Sequence, residues 1–396
     1  MNTAKKIIQN LIAIAFKTVP RNRHLWVTGK TVQWDFRNAP PAFFDNSKYF
    51  FLYLHNKTDE KVYWLSSSRE EIKMLKDMDL PVVRYPSLKG AWLVLRAKFS
   101  FHHYGSDTIN YIYQKGSIQL DFDHGLPLKK TEYYRYQRTG GKMEAFHDWM
   151  RKGGERYGFS TSAFFTDNGL TEQYRLDKEH ILDFGYPRMD ILGLSKEENL
   201  EFCRKYSRNL IEYIEAAGRY DKVLLYMPTF RDADYDFFDK ADIDLDRLSD
   251  ELRKINAVLF IKLHPLTKHN RIESKDNIIQ ISNDVDIYPF LMHTTHLIVD
   301  YSTVYYEYLM LDKEIIFIPY DYDEYVQHRS LIFDYDKITP GAKYYSFNDF
   351  ISSLHDIDKL DHSLERSKLK ELIIDDYDFD ACERTYGYLK ERYIDP

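Results

Sequence analysis

A rhythm constrains this chain most: short apolar runs rich in β-branched and aromatic residues alternate with stretches of helical periodicity. HLWVTGK (24–30), VYWLSS (62–67), LPVVRY (80–85) and SIQLDFDHG (117–125) read as strands. Between them DNSKYFFLYLHNK (45–57), with Asp45 or Asn46 as its cap, REEIKMLKDMD (69–79) and KGAWLVLRAKFS (89–100) read as helices. The rhythm restarts in FSTSAFF (159–165), HILDFGYP (180–187), KVLLYMPTF (222–230), AVLFIKLHP (257–265), NIIQIS (277–282), HLIVDYST (296–303) and EIIFIPY (314–320). Residues 196–217, 245–255, 287–293, 304–311 and most of 364–393 carry helical patterns. Strands and helices in alternation with short connections demand a parallel sheet covered by helices. The expected fold is α/β, with two Rossmann-like parallel-sheet domains facing a central cleft. The Gly- and Pro-bearing stretch GYPRMDILGLSKEEN (185–199) marks the boundary, giving domains 1–190 and 191–396. A chain of 396 residues, 44% hydrophobic, can fill two such cores.

Charge and cysteine usage exclude several classes. A net charge of −7 argues against a general nucleic-acid binder. Cys203 and Cys382 lie far apart and outside any CxxC, so neither a disulfide framework nor a zinc site is expected. No apolar run approaches the roughly 18–20 residues of a membrane span. From Met1 to Trp34 the chain carries Lys5, Lys6, Lys17, Arg21, Arg23 and Lys30 and no acid. Ile7, Ile8, Leu11, Ile12, Ala15 and Val19 recur at helical spacing there, but Gln9 and Asn10 interrupt the pattern a signal peptide needs. A basic amphipathic helix of this kind either lies on an anionic membrane surface or packs on its own domain.

The unusual polar residues cluster at strand ends, where open α/β sheets bind ligands. Lys262 and His264, two apart before Pro265, are expected on one side of their strand as an anion-binding pair; a satisfied histidine beside a solvated lysine is the plainer alternative. HLIVDYST runs directly into a helix, so Ser302 or Thr303 is expected to cap it and its N-terminus to attract phosphate. An ordinary cap explains one of these hydroxyls equally well. Glu307, one turn on, is placed to meet a ribose or glycerol hydroxyl. Pro228, Thr229 and Arg231 leave another strand, and Arg188 follows a Gly-x-Pro turn; an arginine fork suits phosphate or carboxylate, though each arginine reads as well as a surface residue. In FDHGLPLKK (122–130), His124 sits on a glycine turn as a candidate general base, with Lys129, Lys130, Arg135 and Arg138 as a positive rim. His102, His103, Asp123 and His124 are a weaker candidate for metal ligands. The chain holds no P-loop, G-x-G-x-x-G or H-E-x-x-H motif.

In order, PRNRHLWVTGK, FDHGLPLKK, FSTS, GYPRMD, YMPTFR, IKLHP, VDYSTVYYEY, PYDYDEY and FDYDKITPG resemble the motifs of the CDP-glycerol glycerophosphotransferase family, the teichoic-acid primases and polymerases. The resemblance covers nearly the whole chain. It implies a GT-B-like fold and transfer of glycerol phosphate, or ribitol phosphate, from a CDP-alditol to a hydroxyl of a lipid-linked or polymeric cell-wall or capsule acceptor, releasing CMP. It implies a peripheral place on the cytoplasmic face of the cell membrane; no cofactor is expected, and no divalent-metal site is evident in the sequence. Carried over, His124 matches the family's base and His264 its second essential histidine. Asp123, Gly125, Leu126, Pro127, Arg188, Pro228, Thr229, Lys262, Leu263, Ser302, Thr303 and Glu307 match donor-binding positions. The first domain would then bear acceptor and base, the second the CDP-alditol, with Lys5, Lys6, Lys17, Lys129 and Lys130 toward acceptor or membrane. The chain departs from the pattern at Asp123 (usually Trp), Leu126 (Thr), Lys262 (Arg in some members), Thr303 (Ser) and Glu307 (Asp), which puts the alditol and acceptor in question more than the chemistry. A sugar-nucleotide glycosyltransferase or epimerase of the same fold is the first rival, and a non-catalytic scaffold of a polymer-export complex the second.

Overall fold

A computed structural model describes residues 12, 15–30, 43–103, 111–129, 155–174, 176–229, 231, 241–264, 272, 275–328 and 330–396. The chain forms two compact units. Unit 1 draws its described residues from the stretches up to Gly125, Thr131–Gly193 and Asp375–Pro396; unit 2 draws on Leu126–Lys130 and Leu194–Ile374.

Unit 1 is built on a seven-stranded sheet, ordered β3-β2-β1-β4-β5-β6-β7. Its strands are β1 (Asn22–Lys30), β2 (Lys61–Ser66), β3 (Val82–Arg84), β4 (Ala97–His102), β5 (Ile118–Asp121), β6 (Arg156–Phe159) and β7 (Ile181–Leu182). Unit 2 has six strands, β8 (Lys222–Met227), β9 (Ala257–Ile261), β10 (Ile278–Gln280), β11 (His296–Val299), β12 (Glu314–Phe317) and β13 (Ala342–Lys343), ordered β10-β9-β8-β11-β12-β13. Among the described residues, every pairing between these strands is parallel. Counted within each unit, the order is the same, 3-2-1-4-5-6, with a seventh strand added in unit 1. The sequence shows no internal repeat, yet both halves reach the doubly wound order. That order reverses direction between the first and fourth strands, and the crevice at this switch point is where such sheets bind ligands. The central strands β5, β9 and β11 are buried at every position, as parallel strands covered on both faces must be. Gly29 is required by close approach: a Cβ there would fall 2.0 Å from the carbonyl oxygen of Leu65 on β2.

The unit boundary differs from the expected 190/191. It falls at Gly193/Leu194, and the last 22 residues return to unit 1. One carboxylate explains the return. Asp190 accepts hydrogen bonds from the Tyr377 hydroxyl (2.7 Å) and from the Ala381 and Cys382 amides (both 2.9 Å). A link between residues about 190 apart leaves no local pattern to read.

Several elements shift from their expected places. The helix α1 (Asp45–Lys57) has Phe44, not Asp45 or Asn46, at its N-cap position, and Oδ1 of Asp45 accepts from the first-turn Asn46 amide at 2.7 Å. After α2 (Arg69–Asp77), α3 (Leu88–Arg96) ends before Ala97, and the residues expected to continue it form β4. The strand expected over 159–165 lies earlier, as β6, because Ser162 accepts a hydrogen bond from the Phe165 amide and starts a helical turn instead. Cys203 and Cys382 are buried thiols, and among the described residues neither is in a disulfide.

Candidate functional site

In unit 1 the residues beyond the ends of β1, β4, β5 and β7 converge near the switch point. Three of them use left-handed backbone: Asp45 (φ +62°), Asp123 (φ +49°) and Gly125 (φ +104°). Such angles are uncommon outside glycine, and their grouping marks a shaped site. Asp45 is buried, and its Oδ2 lies 3.2 Å from Nδ1 of His124. Its Oδ1 accepts a 2.6 Å hydrogen bond from Nη1 of Arg188. Nη2 of Arg188 donates to the carbonyl of His124 at 2.5 Å, and the Arg188 amide donates to Oδ1 of Asn46 at 3.1 Å. Asn46 donates in turn to the carbonyl of Asp123 (3.2 Å). The Asp123 carboxylate accepts from the His124 amide (2.8 Å) and from Nε2 of Gln173 (2.6 Å). His103, just past β4, pairs with the Ser47 hydroxyl at 2.8 Å and stands edge-on to the His124 ring, 6.0 Å between centroids.

The electrostatics follow from this packing. Burial alone would raise the Asp45 pKa; the Arg188 charge and the His124 hydrogen bond outweigh it and hold the carboxyl well below the usual carboxylate range. For His124, desolvation by the surrounding protein acts downward, but the hydrogen bond to Asp45 and the charges of Asp45 and Asp123 raise the imidazole above its ordinary value. Asp123 is pushed up by burial, against the pull of His124. The His124 side chain stays 48% exposed, so the tuned group remains open to a reactant.

The switch point of unit 2 is arranged differently. Asp300, past β11, is fully buried and accepts from the Thr229 amide beyond β8 (2.9 Å). Arg231 donates to Asp300 (2.9 Å), to both oxygens of Asp321 (2.7 and 2.9 Å) and to the Thr229 carbonyl (2.6 Å). Its guanidinium also lies 4.8–5.5 Å from the rings of Tyr325, Tyr301 and Tyr320. Arg231, expected to grip phosphate, has its fork taken by two aspartates. Thr229 Oγ1 is buried and finds no hydrogen-bond partner among the described residues. Pro228 is buried beside it.

The expected Lys262–His264 pair separates. β9 ends at Ile261, so strand alternation no longer governs the next residues. The Lys262 ammonium is buried against the Ser282 carbonyl, and burial pushes its pKa down to about 8 against the opposing charges of Asp284 and Asp286. Leu263 joins the apolar core, while His264 is exposed. Thr303 occupies the N-cap position before the five-residue helix Val304–Tyr308, but with helical angles (φ −78°, ψ −2°) rather than the extended ones of a capping residue, and its side chain makes no cap hydrogen bond. Ser302 is half-buried and Glu307 buried.

Gly125, Leu126 and Pro127 are buried. Lys129 bridges to Leu331 and holds its ammonium 5.7 Å from the Tyr325 ring centroid. Lys17 is exposed, and Lys5, Lys6 and Lys130 lie outside the described residues. His102 pairs with Asp121 at 3.4 Å. Among the described residues, one group brings three potential metal ligands together, the largely exposed Asp177, Glu179 and His180; His102, His103, Asp123 and His124 do not form one.

The profile of the CDP-Glycerol:Poly(glycerophosphate) glycerophosphotransferase family matches residues 18–381. The chain belongs to this family. This glycerophosphotransferase is 24% identical over 370 residues to the teichoic acid glycerol-phosphate transferase of Staphylococcus aureus, covering 90% of each chain. It is 30% identical over 196 residues to the teichoic acid glycerol-phosphate primase of Bacillus spizizenii, covering 49% of this chain and 48% of that one. The wall teichoic acid polymerase TagF superposes with a TM-score of 0.74 at 18% identity, over 99% of this chain and 96% of that one, which establishes the GT-B-like fold. A UDP-GlcNAc 2-epimerase from Neisseria meningitidis shares that fold more distantly, with a TM-score of 0.51 at 13% identity.

Asp45, Asp300 and Asp321, the carboxylate partners of Arg188 and Arg231, do not stand out in the sequence as site residues. Asp45 followed by Asn46 ahead of a helical run reads as a cap. Asp300 offered a signal, being a lone acid at the end of an otherwise apolar strand.

Proposed function

We propose that the chain transfers glycerol phosphate, or ribitol phosphate, from a CDP-alditol to a hydroxyl of a lipid-linked or polymeric cell-wall acceptor, with His124 as general base. The observation that carries the reading is the His124 imidazole, half exposed at the end of β5 with Nδ1 engaged by a buried, ionised aspartate. With Nδ1 engaged, the proton of the attacking hydroxyl moves to Nε2. The hydroxyl oxygen bonds to the β-phosphorus in line, the bond from that phosphorus to the bridging oxygen breaks, and CMP carries off the electron pair. Positioning and charge stabilisation supply most of the acceleration in phosphoryl transfer. His264, exposed beyond β9, is assigned to the diphosphate. Ser302, Thr303 and Glu307 keep the donor role that the family motifs give them.

The acceptor reading extends to the inner face of the membrane. Among the described residues no helix is long and apolar enough to cross a bilayer. What supports a surface contact is α3, whose Leu88 and Trp92, four residues apart, are 94% and 59% exposed. Arg96 lies over the Trp92 ring, Arg84 and Lys89 are exposed, and residues 80–106 contain no acid. The N-terminal segment is tied to this helix by Arg21, which donates to the carbonyls of Val94, Ala97 and Tyr113. Apolar tips beside unopposed cations suit an anionic lipid surface.

Incubation with CDP-glycerol, CDP-ribitol and UDP-sugars, following nucleotide release, tests the chemistry. CMP release from a CDP-alditol is the expected result. Turnover of a UDP-sugar with the CDP-alditols inert would overturn the reading in favour of the glycosyltransferase or epimerase.

A further inference from the structure

The geometry points to Asp45 as the positioning residue of the transfer: we propose that it fixes the tautomer and aim of His124 and stabilises the imidazolium formed during attack. The proposal rests on the reading of His124 as base.

Three observations carry it. Asp45 Oδ2 lies 3.2 Å from Nδ1 of His124, so the neutral ring holds its proton on Nδ1 and accepts through Nε2. Arg188 then references both ends of the pair to one rigid group, with Nη1 on the Asp45 carboxylate and Nη2 on the His124 carbonyl. A guanidinium fork fixes direction as well as charge. Third, Asp45 opens α1 in a left-handed conformation (φ +62°) that holds its carboxylate among three partners, the Asn46 amide (2.7 Å), the imidazole and the arginine.

The proton balance is simple. The acceptor hydroxyl loses its proton to Nε2 as its oxygen bonds to phosphorus and CMP departs. The imidazolium lies against Asp45, which stays ionised beside Arg188. Solvent later takes the proton, because the ring is half exposed. Among the described residues, charged and titratable groups facing His124 include Asp45 and Arg188 at the α1 and β7 ends, Asp123 on its own turn and His103 beyond β4. Of these, Asp45 makes the side-chain hydrogen bond to the ring.

Asp45→Asn keeps the shape and removes the charge. CMP release from CDP-glycerol, measured with a short lipid-linked glycerol-phosphate primer, should fall about 10²–10⁴-fold in kcat, with KM for CDP-glycerol within about threefold. The base limb of its pH profile should move to lower pH, since the group that raises the imidazole is gone. Because this change leaves Arg188 buried without its carboxylate, Asp45→Asn with Arg188→Met removes both charges and keeps the test interpretable. Thermal melting should show this double variant folded, and its kcat should stay low. Adding His124→Ala to Asp45→Asn should cost little more than His124→Ala alone, as for groups that act as one unit. Full turnover with an unshifted pH profile in a folded Asp45→Asn or double variant overturns the proposal. So do additive losses. If His124→Ala itself keeps near-normal turnover, the base reading fails instead, and the two failures are distinct.

Discussion

The two switch points are built from the same parts and put them to opposite uses. Each sets an arginine against aspartate at the C-terminal ends of parallel strands, in sheets of the same order. In unit 1 the pair is a mount, because Arg188 and Asp45 hold an imidazole that stays half exposed. In unit 2 the pair closes on itself, since Arg231 is taken by Asp300, Asp321 and the Thr229 carbonyl and ringed by tyrosines. An arginine at a strand end therefore does not announce an anion site. What decides is whether its carboxylate partner has a second client that reaches solvent.

The largest effect expected from that contrast is at the mounted group. His124→Ala should lower CMP release about 10³-fold or more while leaving the thermal melt nearly unchanged, because a half-exposed ring contributes little to the core. A melt that drops in step with activity would show the ring to be structural and erase the distinction between the two units.

Next come the arginines. Arg231→Met leaves two carboxylates buried without their cation, at a cost of about 3–5 kcal/mol to unit 2, read as an earlier urea transition. Arg188→Met should destabilise unit 1 comparably and also reduce kcat in the molecules that remain folded, since the guanidinium holds the His124 carbonyl. If the two variants lose stability and turnover in the same proportion, the mount and the closed clamp are not different devices.

Most strands of the two sheets were legible because they are compact apolar runs; β4, which continues directly from a helix, and the two-residue β13 were not. The strand ends were legible too, as His124, Thr229 and His264 show. The partners were not. Asp45 is 79 positions from His124 and Asp321 is 90 from Arg231, and nothing local links them. The return of Asp375–Pro396 to unit 1 was hidden for the same reason. Lys262 and His264 misled through a rule that holds only inside a strand, and β9 had already ended.

Lys262 offers a smaller test within unit 2. Its folded pKa of about 8 lies below the ordinary 10.5, so between those values the unfolded chain binds more protons than the folded one. The resulting stability is present above pH 10.5 and lost as pH falls through 8, a difference of about 3 kcal/mol at most. Lys262→Met should flatten that pH dependence and stabilise unit 2 at neutral pH. Unchanged pH dependence would mean that the ammonium is solvated and able to face a ligand, like His264.

The smallest effect concerns outer surfaces. In unit 1, Leu88 and Trp92 project from α3 within a run of sequence free of acids; in unit 2, Leu364 and Leu372 are also exposed, but their helix, Ser363–Ile373, carries Glu365 and Glu371. The first should hold an anionic bilayer more tightly, because Glu365 and Glu371 offset most of the charge of Arg366, Lys368 and Lys370 on the second, whereas no acid offsets Lys89 and Arg96 on α3. Leu88→Ser with Trp92→Ser should weaken co-sedimentation with phosphatidylglycerol vesicles about tenfold, a modest fraction of what full burial of two large side chains contributes. Leu364→Ser with Leu372→Ser should leave it unchanged, and neither pair should bind phosphatidylcholine vesicles. Equal losses from the two pairs would show that apolar exposure alone drives the contact, and that the charge difference between the helices is irrelevant to it.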